Sequence, residues 1–110
     1  MNLDLTQKKC VPCEGGVDPL KGEKINEYLK AVSSEWKVMD EKSIRRQFKF
    51  KDFKKALEFV NKVGKLAEDQ GHHPDIFINY SRVTLDLSTH AIGGLSKNDF
   101  ILAAKIEQLQ

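Results

Sequence analysis

Cysteine is scarce in this chain, with 2 residues in 110, so a scaffold held together by disulfides is excluded. Long apolar runs are lacking too: none approaches the ~20 residues of a membrane span. Met1-Asn2-Leu3-Asp4 has none of the basic-then-apolar opening of a signal peptide. Together these absences give the expectation of a reduced, cytoplasmic protein. An excess of one charge is also missing, since 18 Lys and Arg face 16 Asp and Glu for a net +2. Gripping phosphate backbones needs a concentrated basic field, so direct nucleic-acid binding is not expected. There is no glycine-rich phosphate loop, no Ser-His-Asp arrangement and no internal repeat. What remains is 40% apolar and 31% charged residues, enough for one core under a heavily solvated surface, and hence one domain.

Residues 1–17 show no periodicity and read as an N-terminal extended segment laid over the surface of a single domain spanning 18–110. Asp18-Pro19 has the form of a helix N-cap with proline at the first helical position. Ile25, Tyr28, Leu29 and Val32 then follow at helical spacing, to a stop at Ser33-Ser34. Trp36 and Val38, a turn at Asp40-Glu41-Lys42, and Ile44, Phe48 and Phe50 predict a β-hairpin. Asp52 caps a second helix whose stripe is Phe53, Ala56, Leu57, Val60, Val63, Gly64 and Ala67, ended by Gly71. A second hairpin follows Pro74. Placing Tyr80 opposite Val83, Ile78 opposite Leu85 and Ile76 opposite Leu87 pairs apolar with apolar, with Ser81-Arg82 as the turn. Gly93-Gly94 breaks the chain, and Ser96 to Asp99 resembles a capping box opening a third helix through Phe100, Ile101, Ala103, Ala104, Ile106 and Leu109. The expected fold is α+β, in the order α-β-β-α-β-β-α. Its four strands form one antiparallel sheet with the helices packed on one face.

All three histidines, His72, His73 and His90, fall near the ends of the second hairpin. Continuing the expected register places His90 opposite His73, so the rings should converge. Asp75 and Phe77 share the polar face of that hairpin with Asn79, Thr84, Asp86 and Ser88. Imidazole can both give and take a proton near neutral pH, and Glu68 stands one helical turn before His72, so the cluster suits proton transfer. The structural alternative is a histidine pair that only caps helix carbonyls. Three histidines with one open position also match a catalytic zinc pattern, but adjacent His72 and His73 point in different directions in any regular backbone, which disfavours a shared metal.

Two further motifs are weak. Cys10-Val-Pro-Cys13 has no second CxxC, no nearby histidine and no βαβ context, so it reads as two thiols in an N-terminal segment. Arg45 to Lys51 with Lys54-Lys55 interleaves charge and aromatics as nucleic-acid binders do, yet it also describes the solvated face of a strand and a helix start.

Glu68-x-x-x-His72-His73-Pro74, then Tyr80, His90 and Asp99 at their spacing, resembles the pterin-4a-carbinolamine dehydratases. Phe48-Lys49-Phe50-Lys51-Asp52-Phe53, His73-Pro74-Asp75-Ile76, Ser88-Thr89-His90 and Gly94-Leu95-Ser96 extend the likeness along the chain, and Cys-Val-Pro-Cys-Glu-Gly-Gly resembles microbial members. The resemblance implies a hydro-lyase that converts 4a-hydroxytetrahydropterin to quinonoid dihydropterin and water in tetrahydrobiopterin recycling, with no metal or organic cofactor. It implies His72 and His90 as general acids, one for each face of the pterin, and His73 as ring-binding base. Glu68 would orient them, and Pro74, Asp75, Phe77, Ser88 and Thr89 would line the substrate. Many relatives carry Asp or Asn where this chain has Gly71, which leaves Glu68 as the expected carboxylate for the histidines. Asp99, three residues after Ser96, is expected to be structural. A homodimer or homotetramer and an aromatic amino acid hydroxylase as pathway partner are also implied. The runner-up function is a non-catalytic protein-binding or dimerisation module on the same fold.

Overall fold

The structure is a computed structural model that describes residues 5–10 and 18–110. Its elements are α1 (Glu23–Leu29), β1 (Lys37–Met39), β2 (Ser43–Lys49), α2 (Phe53–Gln70), β3 (Asp75–Asn79), β4 (Arg82–Leu87) and α3 (Lys97–Glu107), with 3-10 turns at Leu5–Gln7 and His90–Ile92. The strands form one antiparallel sheet in the order β1-β2-β4-β3, which makes β4 a central strand and β3 an edge. Alternation decides the faces. Ile44, Phe48, Val83, Leu85 and Leu87 are buried, while Arg45, Gln47, Lys49 and Arg82 face outward. α2 packs on β4, and α3 packs on α2 and α1. The α+β class and the helix and strand order agree with the sequence reading.

Four details differ from expectation. The first helix begins at Glu23, after Gly22 at φ 51°, and not at Pro19. Residues 18–21 are instead drawn across the Gly93-Gly94 turn, where the Leu20 N–H donates to the Leu95 carbonyl at 2.8 Å. α2 is rolled from its expected stripe: Phe53 and Leu57 are exposed, and Phe59 takes the core position against Phe48 and Phe50 at centroid distances of 4.8 and 5.0 Å. Phe59 thereby completes a cluster of three aromatic rings in the core. The second hairpin pairs Ile78 with Val83 and Ile76 with Leu85, two residues from the expected register. Its turn is Tyr80-Ser81, with Tyr80 at φ 52°. A slip of two keeps every side chain on its face, so the apolar pattern alone could not detect it.

The N-terminal segment also departs from a surface tail. Leu5 is 1% exposed and belongs to the core, and the Lys105 ammonium donates to the Thr6 carbonyl at 2.9 Å. α3, against which this segment packs, is buried from Asn98 through Ala104, Leu102 included. A helix apolar on nearly every side belongs inside a core. Among the described residues no helix is long and apolar enough to cross a membrane.

Candidate active site

The second helix ends where the site begins. Asp52 accepts the Lys55 N–H at its start, and Gly71 closes its end in the left-handed region at φ 66°, with the Gly71 and His72 N–H groups both on the Ala67 carbonyl. The reversal delivers His72 into a nearly closed position, with a side chain 13% exposed. There its Nε2 lies 2.6 Å from Oδ1 of Asp99.

Asp99 is itself fully buried. Ser96 caps α3 in a capping box with Asp99, whose Oδ2 accepts the Ser96 N–H at 2.9 Å. The same oxygen accepts the Thr89 hydroxyl at 2.9 Å. With the Thr89 proton spent there, Ser96 Oγ donates to Thr89 Oγ1 at 2.8 Å and accepts the Asn98 N–H at 3.2 Å. Asp99 therefore accepts on every side, as an ionised carboxylate does, and the proton facing it is carried by His72 Nε2. Nδ1 is the ring nitrogen that Asp99 does not engage.

The remaining expected residues divide into groups. His73 lies 3.6 Å from Glu68, both well exposed, so the pair is solvated and does not hold the ring firmly. His90 is exposed and opens the 3-10 turn directly after buried Thr89. That turn is pinned at its base by a Thr89–Gly94 bridge with bonds of 2.8 and 3.4 Å. A Cβ on Gly94 would stand 2.7 Å from the Pro19 ring, so a side chain there would displace the pin. Continuing the observed register past Asp75 and Asp86 puts His72 across from Thr89. The expected His73–His90 pairing is thereby corrected, by the same slip of two. Half-buried Pro74 and Ser88 flank the pair, while Asp75 and Phe77 face outward on edge strand β3. Asp75 stands opposite Asp86, whose carboxylate is held by Arg45 at 2.8 and 2.9 Å.

Sequence reasoning missed the role of Asp99. It was expected to be structural only, and it is both the helix cap and the partner of His72, a place expected of Glu68. The signal was present in the spacing from His90 to Asp99, but the capping box accounted for the residue by itself. Among the described residues no group of three or more His, Cys, Asp or Glu side chains is arranged to hold a metal ion. Cys13 lies outside the described residues.

The family profile described as pterin 4 alpha carbinolamine dehydratase matches residues 18–109. This chain belongs to that family. Members named for it include proteins of Rubrobacter xylanophilus, 48% identical over 96% of this chain and 98% of its own, and of Alkaliphilus metalliredigens, 45% identical over 97% and 96%. A transcriptional coactivator/pterin dehydratase from Brucella melitensis has a similar solved structure. It is 35% identical with a TM-score of 0.77, over 84% of this chain and 98% of that one. A pterin dehydratase-like protein identified as a RuBisCO assembly factor in the alpha-carboxysome shares the fold alone, at 19% identity and a TM-score of 0.59 over 68% and 88%. The helix-capping carboxylate and the histidine pair thus sit inside the family domain, and residues 5–10 lie outside the matched span.

Proposed function

We propose that this family member dehydrates 4a-hydroxytetrahydropterin to quinonoid dihydropterin and water by imidazole acid–base catalysis, in tetrahydrobiopterin recycling. The observation that carries the reading is the 2.6 Å contact of His72 Nε2 with buried Asp99. It commits one nitrogen of His72 and leaves Nδ1 to work on substrate. Acting as acid, His72 is an imidazolium whose Nδ1–H protonates the departing 4a-hydroxyl, with Asp99 balancing the charge. The C4a–O bond breaks, water leaves, and His73 takes the proton released from the ring nitrogen. His90, on the turn pinned by Thr89, serves the opposite face. The Glu68–His73 contact keeps a carboxylate near the base, and Pro74, Asp75, Phe77 and Ser88 border the pterin.

The 4a-carbon is a stereocentre, so its hydroxyl projects above the ring in one epimer and below it in the other. One acid cannot reach both leaving groups without the ring turning over. Turnover of each separated epimer by His72→Ala and His90→Ala tests this: each substitution should cost one epimer on the order of 10²- to 10⁴-fold and nearly spare the other. Equal losses on both epimers would replace the two-acid scheme by a single shared donor. A protein-binding module that keeps the fold without catalysis would show no turnover of either epimer in the unsubstituted protein.

The protein is also proposed to self-associate as a homodimer or homotetramer. Edge strand β3 exposes Phe77 at 56% and Ile78 at 40%, and α2 exposes Phe53 and Leu57. Open edges and apolar helix stripes are covered in stable proteins. Sedimentation should give a species heavier than 12.5 kDa at micromolar concentration. A clean monomer would remove this part of the reading.

A further inference from the structure

His72 and Asp99 sit on two different elements, the end of α2 and the start of α3, and their 2.6 Å contact holds only while those two ends keep their spacing. One segment touches both. The Cys10 N–H donates at 3.0 Å to Oε1 of Gln70, the last residue of α2 and two before His72. The Cys10 thiol donates at 3.6 Å to the carbonyl of Asn98, the residue before Asp99. Gln70 Nε2 donates to Asp69 at 3.2 Å, which turns its oxygen toward Cys10. Leu5, 1% exposed, and the Thr6 carbonyl on Lys105 fix the other end of the segment to α3. We infer that residues 5–10 are a positioning strap for the His72–Asp99 pair, fastened by Cys10 and Gln70 and anchored by Leu5.

The thiol is suited to a fastening and not to reaction. Burial, with the nearby charge of Asp99, pushes it up from an ordinary 9.0 to about 11, so it stays a protonated donor at neutral pH. A thiolate beside Asp99 would set two negative charges against each other; the neutral thiol avoids this. The hydrogen bonds of Gln70 and Cys10 go to each other, to Asp69 and to the Asn98 carbonyl, and not to a histidine ring, so their influence runs through the spacing of the two helix ends. The consequence for turnover rests on the dehydratase reading. The consequence for the His72 ring does not.

The test is the two-bond proton–nitrogen correlation spectrum of the imidazoles in the full chain, with His72 assigned by its loss in His72→Asn. In the unsubstituted protein, at a pH high enough for the ring to be neutral, His72 should show one tautomer, protonated on Nε2. Gln70→Leu removes the acceptor for the Cys10 N–H and should shift His72 toward tautomer-averaged values. Gln70→Glu gives up the bond to Asp69 but presents an acceptor oxygen in either orientation, and it should retain the native pattern. Leu5→Ala should act like Gln70→Leu. In the dehydratase assay Gln70→Leu should lower kcat about tenfold, because a small misplacement of an acting group is costly, with KM little changed and Gln70→Glu restored. A native His72 pattern in Gln70→Leu overturns the inference, whatever Leu5→Ala does. So does an equal shift in Gln70→Leu and Gln70→Glu. If His72 responds as expected while the unsubstituted protein turns over no pterin, the strap stands and the dehydratase reading falls.

Discussion

α3 carries a screened carboxylate at each end, and the two ends have different chemistry. At its start, Asp99 accepts from the Ser96 N–H, the Thr89 hydroxyl and His72 Nε2 at 2.6–2.9 Å. At its end, Glu107 Oε2 accepts from the Ser33 N–H at 2.6 Å and the Trp36 indole at 3.0 Å, with Arg46 Nη1 3.6 Å away. A carboxylate at a helix start is favoured by the exposed N–H groups there, whereas one at a helix end is opposed by the carbonyls and needs its donors. The deeper difference lies in the partners. Indole, backbone N–H and guanidinium donate permanently and cannot accept a proton in return. Imidazole can, and its second nitrogen stays uncommitted. Arg46 shows the cost of the structural arrangement: among the described residues its Nε and Nη1 are buried without hydrogen bonds, and its charge is met only by Glu107 at 3.6 Å and by the face of the Phe48 ring at 4.4 Å. Burial of a charged group does not by itself mark a site; a partner that can return a proton does.

The comparison breaks most visibly at Asp99. In Asp99→Asn the side-chain oxygen must still satisfy the Ser96 N–H and the Thr89 hydroxyl, which leaves the amide NH₂ facing His72. That donor forces Nε2 to become the acceptor, so the imidazolium proposed as the acid loses its partner and only a neutral Nδ1–H ring, a far weaker acid, remains. Turnover of the epimer served by His72 should fall on the order of 10²-fold, with stability lowered less than in Asp99→Ala. Steady-state kinetics beside a denaturant midpoint measure both. If kcat survives, Asp99 is a cap and nothing more. The matching change, Glu107→Ala, strands the Ser33 and Trp36 donors and removes the ion balancing Arg46. It should cost about 2 kcal/mol of stability and leave kcat for both epimers unchanged. A loss of turnover in the folded variant would make the two ends of α3 equivalent and end the distinction.

Much of this was legible in the residues. Period-two alternation identified which side of β2 and β4 is buried, though Ile78 on edge strand β3 and Tyr80 just after it stay exposed, and Asp52, Gly71 and Ser96 bounded α2 and opened α3 as their capping chemistry requires. The three histidines could be named because imidazole is rare and spaced. The hairpin register was not legible, because a slip of two leaves the face pattern intact and the deciding event is Tyr80 at positive φ, where glycine or asparagine would have given a signal. Phe59 was passed over because α2 is apolar on adjoining stripes, and only the position of Phe48 and Phe50 across the core chooses between them. Asp99 was misjudged because one sufficient local explanation hid a second, tertiary one. Residues 5–10 were read as surface because a six-residue segment has no periodicity to betray a buried Leu5.

The smallest expected effect bears on Cys10, the fastening behind the Asp99 end, which has no counterpart in the contacts of Glu107. Its thiol is raised from 9.0 to about 11 in the folded protein, first by burial and then by Asp99. Below the ordinary value both folded and unfolded chains hold the proton, and the stabilisation is complete. As pH rises from about 9 toward 11 the unfolded chain ionises first, so the stabilisation is lost across that window. The comparison is with Cys10→Ala, which keeps every other group, Cys13 included. Denaturant midpoints at about pH 8 and about pH 10.5 should show the unsubstituted protein losing more than the variant, the gap between them narrowing as pH rises. Parallel losses would mean that the thiol is no more buried in the fold than in the unfolded chain, and its bond to the Asn98 carbonyl would contribute nothing to holding Asp99 in place.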